Sequence, residues 1–249
     1  PIFIGRPEAT AIGLSLANQD PPRPMTHDLL ATIVELLGFK VERIEITELR
    51  EKTFFADIYF RGPNGVEVVS SRPSDALAIA VRTGATIYAE IVGGGMSADA
   101  HHMTAPHPEG LGARNVMKYA LDDADLTIDS VDYINVHGTS TPLGDVAELT
   151  AIQKVFGDKS YDLNISSTKS MTGHLLGAAG AIETIATVKA VQEDFVPPTI
   201  NHSTPDENID SKLNLTLNKG QARKVDVAMT NTFGFGGHNA SIVIKKYKE

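Results

Sequence analysis

Not one of the 249 residues is a cysteine. Disulfides and thiolate metal ligands are therefore excluded, and so is the side chain best suited to hold an acyl group in a covalent intermediate. Long apolar runs are missing too. No stretch approaches the roughly 18 residues of a membrane span, and the amino terminus shows no basic region followed by an apolar core. No run of five basic residues occurs, and a formal charge of −9 argues against tight non-specific binding to nucleic acid. The expectation is a globular protein of the cytoplasm, with no membrane contact and, at 42% apolar residues, enough material for a core.

Residues 1–86 read as a small α+β unit. Pro1 to Gly5 suggest a strand, and a helical stretch runs from Glu8 to about Asn18 before the prolines of Asp20 to Pro24 break it. Thr26 is placed to cap a second helix, in which Leu29, Leu30, Ile33, Val34 and Leu37 recur at helical spacing until Gly38. Three strands follow. The clearest is Thr53 to Arg61, where Phe54, Ala56, Ile58 and Phe60 alternate with more polar positions; a turn at 62–65 leads to a return strand, Val66 to Ser70. Arg72 to Asp75 then opens a helix too apolar to be exposed, closed by Gly84.

From residue 87 the pattern becomes α/β. Strands are expected at Ile87–Gly93, Val131–Val136, Leu213–Leu217, Val225–Met229 and Ser241–Lys245. Helices are expected at Leu111–Ala124 and Asp145–Phe156, with Asn164–Ser166 leading into a helical region from Gly173 to Glu193.

Two histidines stand in runs of small and hydroxylated residues: His137 within Val136 to Asp145, and His174 within Ser167 to Gly180. Together with 87–93, 95–97, 196–201 and 231–239, these runs resemble, in order, the second half of an elongating-type β-ketoacyl-acyl-carrier-protein synthase, of thiolase-like fold. The resemblance implies acyl transfer and decarboxylative condensation, with acyl carrier protein as partner and no cofactor. Neutral imidazoles at His137 and His174 would donate hydrogen bonds to a thioester oxygen as enolate charge develops. By the same resemblance Lys169 organises the site electrostatically, with Glu183 as its acidic partner. Thr139 and Thr141 match hydroxyls that bind a pantetheine arm. Phe235 matches a gating phenylalanine, carried on a loop whose Gly236 and Gly237 permit positive φ. Asn231 and Asn239 are expected to steady that turn. His101, His102 and His107 sit in a Pro-containing loop that the family also has, so no metal site is assigned to them.

The half of such a synthase that carries the nucleophilic cysteine is not in the 249 residues. In the place before residue 87, runs 1–5, 8–12, 22–29, 53–54 and 72–78 resemble the bifunctional nuclease domains, shortened at the front. Glu8, His27, Asp28, Arg72 and Asp75 are the polar residues of those runs. A carboxylate pair with a divalent metal could cleave phosphodiesters, but Asp28 and Asp75 near helix starts are well explained as capping residues, and that structural reading is preferred. The seam falls at 84–90, with one strand serving both parts. The fold expected is thus α/β: the C-terminal half of a thiolase-like fold behind a truncated α+β lobe, a chimera-like chain. Neither Ser97 nor Ser166 stands where it could replace the thiol, so full condensation is not expected, while malonyl-thioester decarboxylation could rest on the two histidines. A metal-dependent nuclease, which would add nucleic acid as a partner, and a non-catalytic scaffold are the other two classes. Missing halves would expose apolar faces and favour homo-oligomers.

Overall fold

The computed structural model describes residues 5–50, 53–84 and 88–248, and the chain divides into two compact units, Pro1–Thr86 and Ile87–Glu249. The strand expected at residues 1–4 lies outside the described residues.

In the first unit, helices α1 (Arg6–Leu16) and α2 (Thr26–Leu36) precede three antiparallel strands, β1 (Lys40–Arg50), β2 (Thr53–Gly62) and β3 (Gly65–Ser71), and helix α3 (Pro73–Arg82). The alternation along β2 does what its period demands. Ala56, Ile58 and Phe60 turn to one face and pack with Ala76 and Ile79 of α3; the Phe54 side chain lies outside the described residues. The α3 helix is buried as its composition requires. Thr26 does not cap α2, however. Met25 is the N-cap, and the Asp28 carboxylate reaches back to accept its backbone N–H at 2.6 Å, which leaves Thr26 as the first helical residue.

The second unit is built on a five-stranded mixed sheet in the order β4 (Glu90–Ala98), β10 (His238–Lys245), β9 (Val227–Gly234), β5 (Tyr133–Asn135), β6 (Asn164–Ser166). β10 runs antiparallel to both neighbours, while β9, β5 and β6 are mutually parallel. The period of two separates two cores. Ile134, Met229 and Val243 point to the side covered by α4 (Leu111–Asp123) and α5 (Gly144–Phe156), while Tyr133, Ala228 and Ile244 point to the side covered by α7 (Ala179–Glu193). Two minor strands, β7 (Phe195–Val196) and β8 (Gln221–Ala222), pair with each other, and a single turn, α6 (Lys169–Thr172), follows β6.

Glycines decide how closely α4 approaches the sheet. A Cβ at Gly93 would stand 2.4 Å from the Ala120 carbonyl oxygen, and one at Gly95 would stand 2.4 Å from that of Val116. Only hydrogen at those positions lets the helix backbone lie on β4.

Three expectations change. β4 starts at Glu90 and extends to Ala98, since the alternate glycines that looked like a strand end are its helix-facing side; Ile87 lies outside the described residues. The region Gly173–Glu193 is not one helix, because Gly173 at φ +74° interrupts it and α7 begins only at Ala179. Leu213–Leu217 forms no strand; it contributes isolated bridges from Asn214 to Asn164 and from Leu217 to Thr199.

Candidate functional site

His137 follows β5, where a parallel strand ends above the sheet, and His174 lies in the exposed segment between α6 and α7. Their rings stand 5.4 Å apart between centroids at 86°, edge to face. Both line one cavity of about 760 Å³, together with Thr139, Thr141, Leu176, Phe233, Phe235 and Gly237. Gly236, Lys169 and Glu183 do not line it.

The backbone sets the tautomer of each ring. His137 Nδ1 accepts the Phe233 backbone N–H at 3.2 Å, and His174 Nδ1 accepts that of Leu176 at 3.3 Å. An imidazole whose Nδ1 is an acceptor carries its proton on Nε2. Both rings therefore present an Nε2–H donor. Burial pushes the His137 pKa down to about 3, helped by the Lys169 ammonium and by His174, so this ring is neutral throughout the ordinary pH range.

Lys169 and Glu183 form an ion pair that is almost fully buried, Lys169 at the start of α6 and Glu183 on the inner side of α7. Desolvation raises the Glu183 pKa, and the lysine opposes that shift. Lys169 thus acts on His137 through space, from behind the cavity wall.

Glu148, on α5, was not singled out by the sequence reading. It is 3% exposed, and its two carboxylate oxygens accept the backbone N–H groups of His137 at 2.9 Å and Gly138 at 3.0 Å, with Asn231 Nδ2 at 3.1 Å. It holds the His137 loop by its main chain. Burial raises its pKa to about 7 against these three donors. A signal for it existed: Glu148 falls on the stripe that continues at Ile152 and Phe156, an acid where the helix is otherwise apolar. Asn231 accordingly serves Glu148 rather than the turn. Asn239 does hold the turn, donating to Asp99 Oδ1 at 2.8 Å and to the Gly237 carbonyl at 3.3 Å. Gly236 and Gly237, at φ +84° and +74°, make that turn between β9 and β10. Phe235 stands 80% exposed at its tip.

The other histidines serve their loop. His102 Nδ1 accepts the Thr104 and Ala105 N–H groups, and His107 Nδ1 accepts that of Glu109. Among the described residues, no three His, Asp or Glu side chains group as a metal would need.

In the first unit, Glu8, His27, Arg72 and Asp75 form one network. Arg72 donates to Asp75 through Nε at 2.6 Å and Nη2 at 2.8 Å, and to Glu8 at 3.0 Å, while His27 Nε2 lies 3.1 Å from Asp75. Asp75 is therefore engaged by side chains and not by the α3 backbone, so it is no cap. Hydrogen bonds from Arg72 hold its carboxyl below the usual range. Asp28 stands apart, paired with Arg82, which also ties down the carbonyls of Ala11 and Ala78. Arginine charge that is met by carboxylates in this way is poorly available to a phosphate.

Comparison with known proteins finds a different family for each part of the chain. Residues 88–203 match the family described as "Beta-ketoacyl synthase, C-terminal domain", and residues 1–92 match the "Bifunctional nuclease domain", so 88–92 fall in both. The 3-oxoacyl-[acyl-carrier-protein] synthase 2 of Coxiella burnetii is 53% identical over 167 residues, 67% of this chain and 40% of that protein. Its Synechocystis counterpart is 51% identical over 174 residues, 70% of this chain and 41% of its own length. The chain thus spans about two fifths of the curated relatives it matches. Among solved structures, a ketosynthase in complex with its type II polyketide acyl-carrier protein superposes with TM-score 0.65 at 34% identity, over 74% of this chain and 43% of that one. A β-ketoacyl synthase from Burkholderia phymatum gives TM-score 0.63 at 28% identity, over 97% of this chain and 59% of that one. The chain is thus similar, over residues 88–203, to the C-terminal domain of β-ketoacyl synthases and, over residues 1–92, to the bifunctional nuclease domain.

Proposed function

We propose that the second unit binds a malonyl thioester presented by an acyl carrier protein and promotes its decarboxylation. The observation that carries this reading is the pair of Nε2–H donors, each fixed by a backbone N–H on its Nδ1, on one cavity. In the reaction the bond between the carboxylate and Cα breaks, carbon dioxide leaves, and the electron pair moves onto the thioester oxygen as an enolate. The two donors stabilise that oxygen, and a proton from water at Cα completes an acetyl thioester. Preset donors need no reorganisation as charge develops, and the His137 ring is held neutral as well as fixed.

In this reading Thr139 and Thr141, whose hydroxyls are 3.2 Å apart, contact the pantetheine amides, and Phe235 with Gly236 and Gly237 gates the entrance. Lys169 and Glu183 set the field around His137. Condensation needs an acyl group held on a thiol, and the 249 residues supply none. A nuclease reading finds less support, since Arg72 and Arg82 are engaged by carboxylates.

Release of labelled carbon dioxide from malonyl carrier protein tests the proposal. Each of His137→Ala and His174→Ala should lower the rate by about 100- to 1,000-fold, the usual worth of one oxyanion donor. No release above background from the unaltered chain removes the reading.

A further inference from the structure

Beyond the ends of β5 and β6 the two histidine-bearing segments part, and one side chain rejoins them. Val136 still keeps the pairing of the strands, its N–H donating to the Ser166 carbonyl at 2.9 Å. The next residue along, the buried Ser167, turns its hydroxyl across the gap and donates to the Gly138 carbonyl at 2.7 Å. Among the described residues this is the one hydrogen bond between residues 137–145 and 167–180. Asn135 and Thr168 are also bonded, but Asn135 is still within β5 and precedes the His137 loop.

Both ends of the contact are fixed. Gly138 has φ +35°, and a Cβ there would stand 2.8 Å from the Ser167 Cβ, so a larger residue would drive the segments apart. Its N–H donates to Glu148 at 3.0 Å, so Gly138 is held by α5 on one side and by Ser167 on the other. The Ser167 N–H donates to Thr199 Oγ1 at 2.9 Å. Its carbonyl accepts the Ser170 hydroxyl at 2.8 Å, and that hydroxyl oxygen accepts the Ile200 N–H at 2.9 Å. Ser167 therefore stands at the head of α6 with no freedom to follow a moving loop.

We propose that Ser167 is a positioning residue, whose hydroxyl fixes the His137 loop against the His174 segment and so sets the separation of the two Nε2–H donors. The inference rests on the proposed function and names what aligns its two donors. One oxygen receives both only if both lie within hydrogen-bond reach of it, and a misplacement of about 1 Å can cost about 100-fold. Glu148 and Phe233 tie His137 to α5 and β9, neither of which carries His174. The Ser167 hydroxyl refers one histidine to the other. The Thr139–Thr141 turn has an anchor of its own, since the Asp145 carboxylate accepts the Ser140 N–H at 3.1 Å. Carrier binding should therefore survive loss of the hydroxyl.

Ser167→Ala in the full chain tests this. For carbon dioxide release kcat should fall about 10- to 100-fold, with the KM for malonyl carrier protein changed by less than about two-fold. A general weakening of the fold would lower the rate by one factor in every background. Lost alignment matters only while both donors are present, so Ser167→Ala added to His174→Ala should cost less than about three-fold more. Ring spectra give a readout without turnover. The His137 and His174 rings stand edge to face at 5.4 Å, so a nuclear Overhauser peak should join them in the unaltered chain and weaken or vanish in Ser167→Ala. The inference is overturned by the lack of that peak in the unaltered chain, by an unchanged peak in Ser167→Ala, or by equal losses with and without His174. A Ser167→Ala chain that does not fold makes the role structural and overturns it as well. If the unaltered chain releases no carbon dioxide, the proposed function fails, and the ring spectra alone decide whether Ser167 aligns the pair.

Discussion

Glu148 makes the reasoning quantitative. Its carboxyl lies at about 7 in the folded protein against an ordinary 4.5, raised by burial. For a carboxyl raised on folding, stability is fully present below 4.5 and is lost as pH rises through 7, because the unfolded chain releases the proton first. The full difference of about 2.5 pH units corresponds to about 3.4 kcal/mol, of which about 2.5 kcal/mol falls between pH 5 and pH 8. Glu148→Gln removes that titration. It also turns an amide NH2 toward N–H donors, at a pH-independent cost of about 1–3 kcal/mol. Urea unfolding of the second unit, followed by circular dichroism from pH 5 to 8, should therefore show the unaltered protein losing about 2.5 kcal/mol relative to the variant. Parallel curves, or a gain relative to the variant as pH rises, would mean that the three N–H donors outweigh desolvation and that the carboxylate is ionised throughout. Either outcome refutes the argument from burial.

Three further outcomes follow from the same structure. Lys169→Met leaves Glu183 buried without its partner and should destabilise the second unit by about 3–5 kcal/mol, while Lys169→Met with Glu183→Leu recovers most of it; additive losses in a double-mutant cycle would sink the pairing. Gly95→Ala should cost about 1–3 kcal/mol because its Cβ meets the α4 backbone, whereas Gly94→Ala, whose Cβ has no neighbour nearer than 4.0 Å, should cost less by thermal melts, and equal losses would contradict the close approach. The His137 ring resonances should not titrate between pH 8 and pH 5, since its folded pKa lies near 3, and a midpoint near 6 would show that the ring is solvated.

Much of this was legible in the sequence because it is local. The alternation Ala56, Ile58, Phe60 is a strand with one buried face wherever it occurs, and the helix periods of 111–123 and 144–156 predicted those elements to within a residue or two. Motif order exposed the two families. What misled was also local: glycines at 93–95 read as a strand's end, although their meaning lay in a helix that passes over them, and Gly173 interrupts what composition writes as one helix.

The amino-acid sequence by itself determined the families, the pair of histidines and the lack of a thiol, because residue identity and order are covalent facts. Only the tertiary structure decided that Phe233 and Leu176 hold the two Nδ1 atoms and that Glu148 anchors the loop from 11 residues away. For His137 the partner of Nδ1 lies 96 residues along the chain, so its tautomer depends on what packing brings together and no short window contains both residues.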